Sequence, residues 1–309
     1  MKKLVLLLGA SLLLMAGCGA ATLDGENSSS DKVVKKEEKE LVVGVSLSTL
    51  NNPFFVSLEN GIQKLADEKG TKLKIVDAQD DTAKQSNDVD DLIQQGVDIL
   101  LINPVDSSAI TPAVESANAA NIPVIAIDRD SEGGKLLSLV ASNNIEGGKM
   151  AAKYIEEVVG SEAKVVELQG VPGASATRER GKGFDEYAKG KLDIIAQQAA
   201  NFDRAKGLTV MENMLQSNPE VQAVFAQNDE MALGAVEAIG AAGKTDAITV
   251  VGFDGTEDGL KAIKAGKMSA TVAQQPEEMG KLALQAAFDH FAGKKVESKI
   301  DSTLELIKK

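Results

Sequence analysis

From residue 41 onward the chain alternates short, nearly continuous apolar runs with longer stretches whose apolar residues return every three or four positions. The runs LVVGVSLS (41–48), KLKIVDA (72–78), DILLINP (98–104) and IPVIAID (122–128) are β-rich and bounded by turn-forming residues. KVVELQG (164–170), LDIIAQQ (192–198), QAVFAQN (222–228) and ITVVGFD (248–254) repeat the pattern in the second half. Between them, PFFVSLENGIQKLADEKG (53–70), SSAITPAVESANAAN (107–121) and EMALGAVEAIGAAG (230–243) read as helices. Strands apolar on both faces belong in parallel sheets covered on both sides. Strand–helix units of roughly 30 residues cross over right-handedly, which predicts doubly wound layers. Units fall on both sides of Asn143 in similar number, and 309 residues suit two domains of about 150. The expectation is an α/β protein of two doubly wound parallel-sheet lobes.

In open α/β sheets, ligands bind beyond the carboxyl ends of the strands. The first strand is followed by Asn51-Asn52-Pro53-Phe54-Phe55; others end in Asn103, Asp128-Arg129, Asn228-Asp229 and Asp254-Gly255. A single Asn or Asp there is usually the cap of the next helix. Five such ends, drawn from both halves, point instead to a shared cleft. Amides, carboxylates and a guanidinium supply donors and acceptors together, which suits a neutral ligand rich in hydroxyls. Phe54 and Phe55 open a helix at the cleft edge, where rings can cover the C–H faces of a sugar. Phe184, Phe225 and Phe288 read as core.

Charge narrows the partners. Lys and Arg total 33 against 46 Asp and Glu, a formal charge of -13, which repels phosphate backbones and argues against nucleic acid. With one Cys, one His and no Trp, the chain offers neither an intrachain disulfide nor a Cys- or His-rich metal site. No metal and no cofactor is expected.

The amino terminus has its own logic. Met1-Lys2-Lys3 precedes LVLLLGASLLLMAG and Cys18, the layout of a secretory signal. The apolar run is shorter than the roughly 20 residues a membrane-spanning helix needs. Ala16-Gly17-Cys18 resembles the lipobox of bacterial lipoproteins, with Met15 where Leu is usual. That resemblance implies removal of residues 1–17, a mature charge of -15, and lipidation of Cys18. Two acyl chains suffice for stable membrane anchoring. Residues 19–40, GAATLDGENSSSDKVVKKEEKE, read as a disordered tether.

LSTLNNPFFVSLENG, LLINPVDS, IPVIAIDRD, ELQGVPGASATRERGKGF, VQAVFAQNDEMALGA and VVGFDGT together resemble the sugar receptors of ABC importers, the type I periplasmic-binding-protein group and its ribose-binding branch. The resemblance covers the chain from about Leu41 to its end. It implies two lobes joined by three crossovers, the first lobe spanning 41–142 plus 275–303 and the second 143–274 plus 304–309. It implies a monomer that binds D-ribose, or a close relative such as allose, outside the cytoplasm and meets the permease subunits of an importer. Carried over by motif, the sugar contacts are Asn52, Phe54, Phe55, Asn103, Asp128 and Arg129 from the first lobe. Arg180, Phe202, Asn228 and Asp254 follow from the second, with Gln274 at a crossover. The long charged tether departs from the soluble periplasmic members and fits a surface lipoprotein.

Other motifs lead nowhere. Gly243-Lys244-Thr245 lacks the earlier glycine of a phosphate loop, Ala238 standing there. Asp128 and Asp254 invite comparison with a glycosidase pair, but Arg129 and Arg180 are expected to keep both ionised, and a general acid needs the opposite. His290 reads as a surface helix residue. A sugar-responsive repressor shares this fold but would carry a helix-turn-helix where a signal is expected here.

Overall fold

All eight apolar runs become strands. A computed structural model describes residues 35–309, so the expected signal sequence, the lipidation site Cys18 and the tether as far as residue 34 lie outside the described residues. The chain runs β1 (Val42–Leu47), α1 (Pro53–Lys69), β2 (Lys72–Asp77), α2 (Thr82–Gln94), β3 (Ile99–Ile102), α3 (Thr111–Ala119), β4 (Val124–Ile127) and β5 (Ser138–Ser142). It continues through α4 (Asn144–Val159), β6 (Lys164–Gln169), α5 (Ser175–Ala188), β7 (Asp193–Ala199), α6 (Arg204–Ser217), β8 (Ala223–Ala226), α7 (Asp229–Ala241) and β9 (Thr249–Asp254). It ends with α8 (Glu257–Lys264), β10 (Ala270–Ala273), α9 (Pro276–Phe291), β11 (Lys299–Ser302) and β12 (Glu305–Lys308).

Among the described residues these strands form two six-stranded sheets, ordered β11-β5-β4-β3-β1-β2 and β12-β10-β9-β8-β6-β7. Every described pairing is parallel except that of β12 with β10. The chain changes sheet after Ser142, between Ala273 and α9, and between Ser302 and Glu305. β5 and β10, at the first two changes, are short and rich in small residues. β11 and β12, at the third, are edge strands of mixed polarity. None carries the long apolar run that marks a central strand.

Each sheet is covered on both faces, as strands apolar on both sides require. α1 and α9 cover one face of the first sheet around Val43, Leu58, Ile62 and Leu284; α2 and α3 cover the other around Leu92, Leu100 and Val114. In the second lobe α4 and α5 enclose Phe184 and Phe225, stacked with centroids 4.6 Å apart, while α6 and α7 enclose Met211, Val224 and Ile239. Helix pairing is close. A Cβ on Gly148 of α4 would lie 2.1 Å from the Arg180 carbonyl of α5, and one on Gly183 would lie 1.9 Å from that of Ile145.

One expectation needs correcting. The tether does not stay free to residue 40: Glu38–Glu40 form a short 3-10 turn against the first lobe. The Lys36 ammonium pairs with Asp98, the Glu38 carboxylate with Lys69 at 3.1 Å, and the Thr71 hydroxyl donates to the Glu38 carbonyl at 2.9 Å. Charges that look like solvated tether in the sequence find opposite charges on the body.

Candidate functional site

The carboxyl ends of both sheets converge on one cavity. Its walls are Asn52, Phe54, Phe55, Asp128 and Arg129 from the first lobe, Arg180, Phe202, Asn228 and Asp254 from the second, and Gln274 where the chain changes sheet. Ala176, in the first turn of α5, completes the lining. An alanine carries no chemical signal, so nothing in the sequence singled it out. Of the residues named from the motifs, Asn103 alone stands behind the wall. It accepts from the Ser48 N–H at 3.2 Å, donates to the Ile127 carbonyl at 3.0 Å and approaches the Asp128 carboxylate at 3.5 Å. Its amide is engaged in holding β1, β4 and Asp128 together.

The strand ends do cap helices, and they line the cavity as well. Asn52 Oδ1 accepts from the Phe54 N–H at 2.9 Å at the start of α1, and Asn228 Oδ1 accepts from Met231 at 2.9 Å at the start of α7. A cap employs only the amide oxygen. Asn228 then donates through Nδ2 to the Phe202 carbonyl at 3.2 Å, tying the second lobe's cavity ring to a strand end. Asp128, Phe202 and Asp254 all take positive φ, of 64°, 61° and 117°. For residues other than glycine such backbone is strained, and it clusters where function over-determines geometry.

Charges balance across the cavity. Arg129 lies 3.6 Å from the Asp128 carboxylate and Arg180 lies 3.7 Å from that of Asp254, all four being almost wholly buried. The Arg129 guanidinium also sits between the rings of Phe55 and Phe202, at 5.1 and 5.2 Å, and Arg180 rests 3.8 Å above Phe253. Arg180 donates to Asn144 Oδ1 at 2.9 Å and to the Gln227 carbonyl at 2.7 Å. Gln274 donates to Asp254 at 2.9 Å.

Burial is the dominant influence on these carboxyls and pushes both upward, Asp254 well above the ordinary range. Arg129 and Arg180 pull Asp128 back, and Arg180 pulls Asp254 back, without cancelling that push. The expectation that the arginines simply keep both carboxylates ionised therefore left out the stronger opposing effect. Burial likewise lowers both guanidinium groups while the carboxylates raise them, so charge here is sustained only in pairs.

Among the described residues, three buried polar atoms of this set make no hydrogen bond: Asp128 Oδ1, Gln274 Oε1 and Arg129 Nε, which has only the Asp128 carboxylate at 3.6 Å. Two accept and one donates. Buried groups of this kind normally find a partner, because leaving one without costs on the order of 1–3 kcal/mol.

At the rim, the lobes touch without involving the cavity. The Ser107 N–H donates to the Gly173 carbonyl at 3.0 Å, the Ser175 N–H to Ser107 Oγ at 3.2 Å, and the Asp130 N–H to Ser175 Oγ at 2.8 Å. Arg178 pairs with Glu132 at 2.8 Å. These partners lie far apart in sequence and no local pattern marks them. A second hollow adjoins the cavity, sharing Asn52, Phe55, Arg129 and Phe202 with it and lined beyond them by Asp80, Asn201 and Glu230, among others.

Comparison with known proteins gives this arrangement its setting. Residues 43–295 match the family described as "Periplasmic binding protein domain". The chain is 57% identical over 307 residues to the ribose import binding protein RbsB of Bacillus subtilis, covering 99% of each chain. It is 49% identical over 310 residues to the protein of the same name from Escherichia coli, covering 100% of this chain and 99% of that one. Among solved structures, a Caulobacter myo-inositol binding protein bound to myo-inositol superposes with a TM-score of 0.83 at 33% identity, covering 89% of this chain and 95% of that one. A solute binding protein from Actinobacillus succinogenes with bound D-allose gives 0.81 at 29% identity, over 87% and 97% of the two chains.

Proposed function

The chain belongs to the periplasmic binding protein family, and from that premise we propose that it captures D-ribose between its two lobes outside the cytoplasm and hands it to the permease of an ABC importer. The observation that carries this reading is the set of unpartnered buried atoms among aromatic walls. Asp128 Oδ1 and Gln274 Oε1 can accept and Arg129 Nε can donate, within a cavity that Phe54, Phe55 and Phe202 also line. A hydroxyl gives and receives a hydrogen bond at once, and a sugar ring presents apolar C–H faces to rings. The relatives named as ribose import binding proteins support the choice of pentose.

In this reading the eleven residues from Asn52 to Gln274 serve the sugar, Asn103 by orienting Asp128. The lobes divide at 142/143, 274/275 and 303/304, and these crossings are the hinge. The protein acts as a monomer and performs no catalysis: each carboxylate is placed to receive hydroxyls. Cys18 carries the lipid that holds the receptor at the cell membrane.

Titration calorimetry and thermal shift with ribose, allose, galactose, glucose and xylose test the ligand. A sugar at a hundred times its Kd stabilises the fold by about 2.7 kcal/mol. Ribose is expected to give the largest shift. A larger shift with another sugar overturns the specificity, and no shift with any of them overturns the receptor reading. For the anchor, Cys18→Ser is expected to leave the protein unprocessed or released to the medium, and a mature-sized, membrane-retained variant counts against lipidation.

A further inference from the structure

In the middle of β6, flanked by the core residues Val166 and Leu168, stands a carboxylate. Glu167 is fully buried and hydrogen-bonds to none of the cavity-lining residues. Burial pushes it upward, so it is a poor choice for stability alone. Its neighbours explain it. Gln227 donates to Glu167 Oε1 at 2.8 Å, Gln197 to Oε2 at 2.6 Å and Gln169 to Oε2 at 3.3 Å.

Gln227 is the link to the cavity. Its Oε1 accepts from the Gly170 N–H at 3.0 Å, and that backbone donor can only donate. The Gln227 NH2 must therefore face Glu167, where only an acceptor fits. Gln197, which also donates to Asp185 at 3.0 Å, demands an acceptor from the other side. A carboxylate serves both at once; a glutamine, with one oxygen, does not.

What Gln227 holds is the second lobe's half of the cavity. Its carbonyl accepts from Arg180 at 2.7 Å, and its successor, Asn228, lines the wall. The Gly170 backbone that it fixes lies against the Phe202 ring, so closely that a Cβ on Gly170 would stand 2.0 Å from Phe202 Cζ. We infer that Glu167 is a positioning residue for the sugar site, setting Arg180 and the Phe202 ring in place through the amide of Gln227.

This inference rests on the receptor reading above, and its test separates the two. Ribose binding is measured by calorimetry for the parent, Glu167→Leu, Gln227→Glu and the double variant Glu167→Gln/Gln227→Glu, alongside ligand-free thermal melts. Glu167→Leu strands the Gln227 NH2, and Gln227→Glu sets two carboxylates face to face. Each is expected to raise the Kd about tenfold or more. The double variant exchanges carboxylate and amide while keeping every hydrogen bond: position 227 still accepts from Gly170, and position 167 still accepts from Gln197. It is expected to return to within about threefold of the parent, a rescue that a generally loosened core does not show.

Single variants that bind as tightly as the parent overturn the inference. So does a double variant that melts like the parent yet binds as weakly as the singles. If one single variant does not fold, comparison of the other with the double variant decides. A parent that ignores ribose but binds another sugar of the panel overturns the ligand assignment alone, and the same series is then read with that sugar.

Discussion

At position 180 one guanidinium meets several demands at once. Arg180 donates to Asn144 and Gln227, faces Asp254 and rests over the Phe253 ring. A planar fork does this and a single ammonium does not. Arg180→Lys is expected to weaken ribose binding by roughly tenfold or more, from the loss of a buried charged donor worth about 1.5–3 kcal/mol. Calorimetry at fixed salt checks it, and unchanged affinity would remove Arg180 from the ligand contacts. Asp229, just beyond Asn228, shows a different consequence of burial. It accepts from the Thr256 N–H and from the hydroxyls of Thr256 and Thr271, yet burial lifts its pKa from 3.8 to about 6. Between those values the folded chain keeps a proton that the unfolded chain has lost, so stability falls as pH rises through the window and then levels. At about 1.4 kcal/mol per pH unit the loss is on the order of 3 kcal/mol. Asp229→Asn removes that dependence. Urea unfolding at pH 4 and pH 7 is expected to show the variant gaining on the parent by that amount, and an equal gap at both pH values would refute the assignment.

Among elements, the α4–α5 contact sets the site most directly. Gly148 lets α4 approach the Arg180 carbonyl, so any side chain there pushes against the turn that carries the guanidinium. Overpacking of this kind costs about 1–3 kcal/mol. Gly148→Ala is expected to lose stability and sugar affinity together. Gly240, on the exposed side of α7 with no atom nearer than 3.9 Å to a built Cβ, is the contrast. There alanine is expected to raise stability by about 0.4–1 kcal/mol, through reduced freedom of the unfolded chain, with affinity unchanged. Thermal melts with calorimetry on both variants distinguish the outcomes. Equal effects would mean that the helix contact does not govern the site.

For the whole molecule, the central quantity is the balance between open and closed lobes. Hinge closure is the behaviour the handful of crossings permits, and binding proteins of this family are a known instance of it. Because both lobes line the cavity, a sugar bound there is expected to favour the closed form. The rim adds a bias of its own, because Ser107, Gly173, Ser175, Arg178 and Glu132 join the lobes without lining the cavity. Apparent affinity scales with the fraction of molecules already competent to bind. A Cβ on Gly173 would lie 1.7 Å from Asp106 Oδ2, a carboxylate that two backbone N–H groups hold in place. Gly173→Val is therefore expected to favour the open form and weaken ribose binding by about tenfold, with no cavity residue changed. Small-angle scattering should show a smaller radius for the parent with ribose than without, and a larger ligand-free radius for the variant. Identical curves with and without sugar would exclude closure.

The amino-acid sequence by itself determined eight strands, six of them interior and two, β2 and β7, at sheet edges, and the ends that carry Asn52, Asp128, Arg129, Asn228 and Asp254, because burial in a covered sheet leaves apolar runs and polar residues appear where the runs stop. Family motifs added Arg180, Phe202 and Gln274, whose local surroundings carry no such signature. Tertiary structure alone decided the short strands β5, β10, β11 and β12, the folding back of residues 35–40 onto Asp98 and Lys69, and the place of Asn103 behind Asp128. It also decided the rim contacts and the path from Glu167 through Gln227 to Arg180. A periodic pattern records how one element meets the core. It holds no record of a partner such as Gln227, sixty positions from Glu167, which only the packed fold brings within hydrogen-bonding distance.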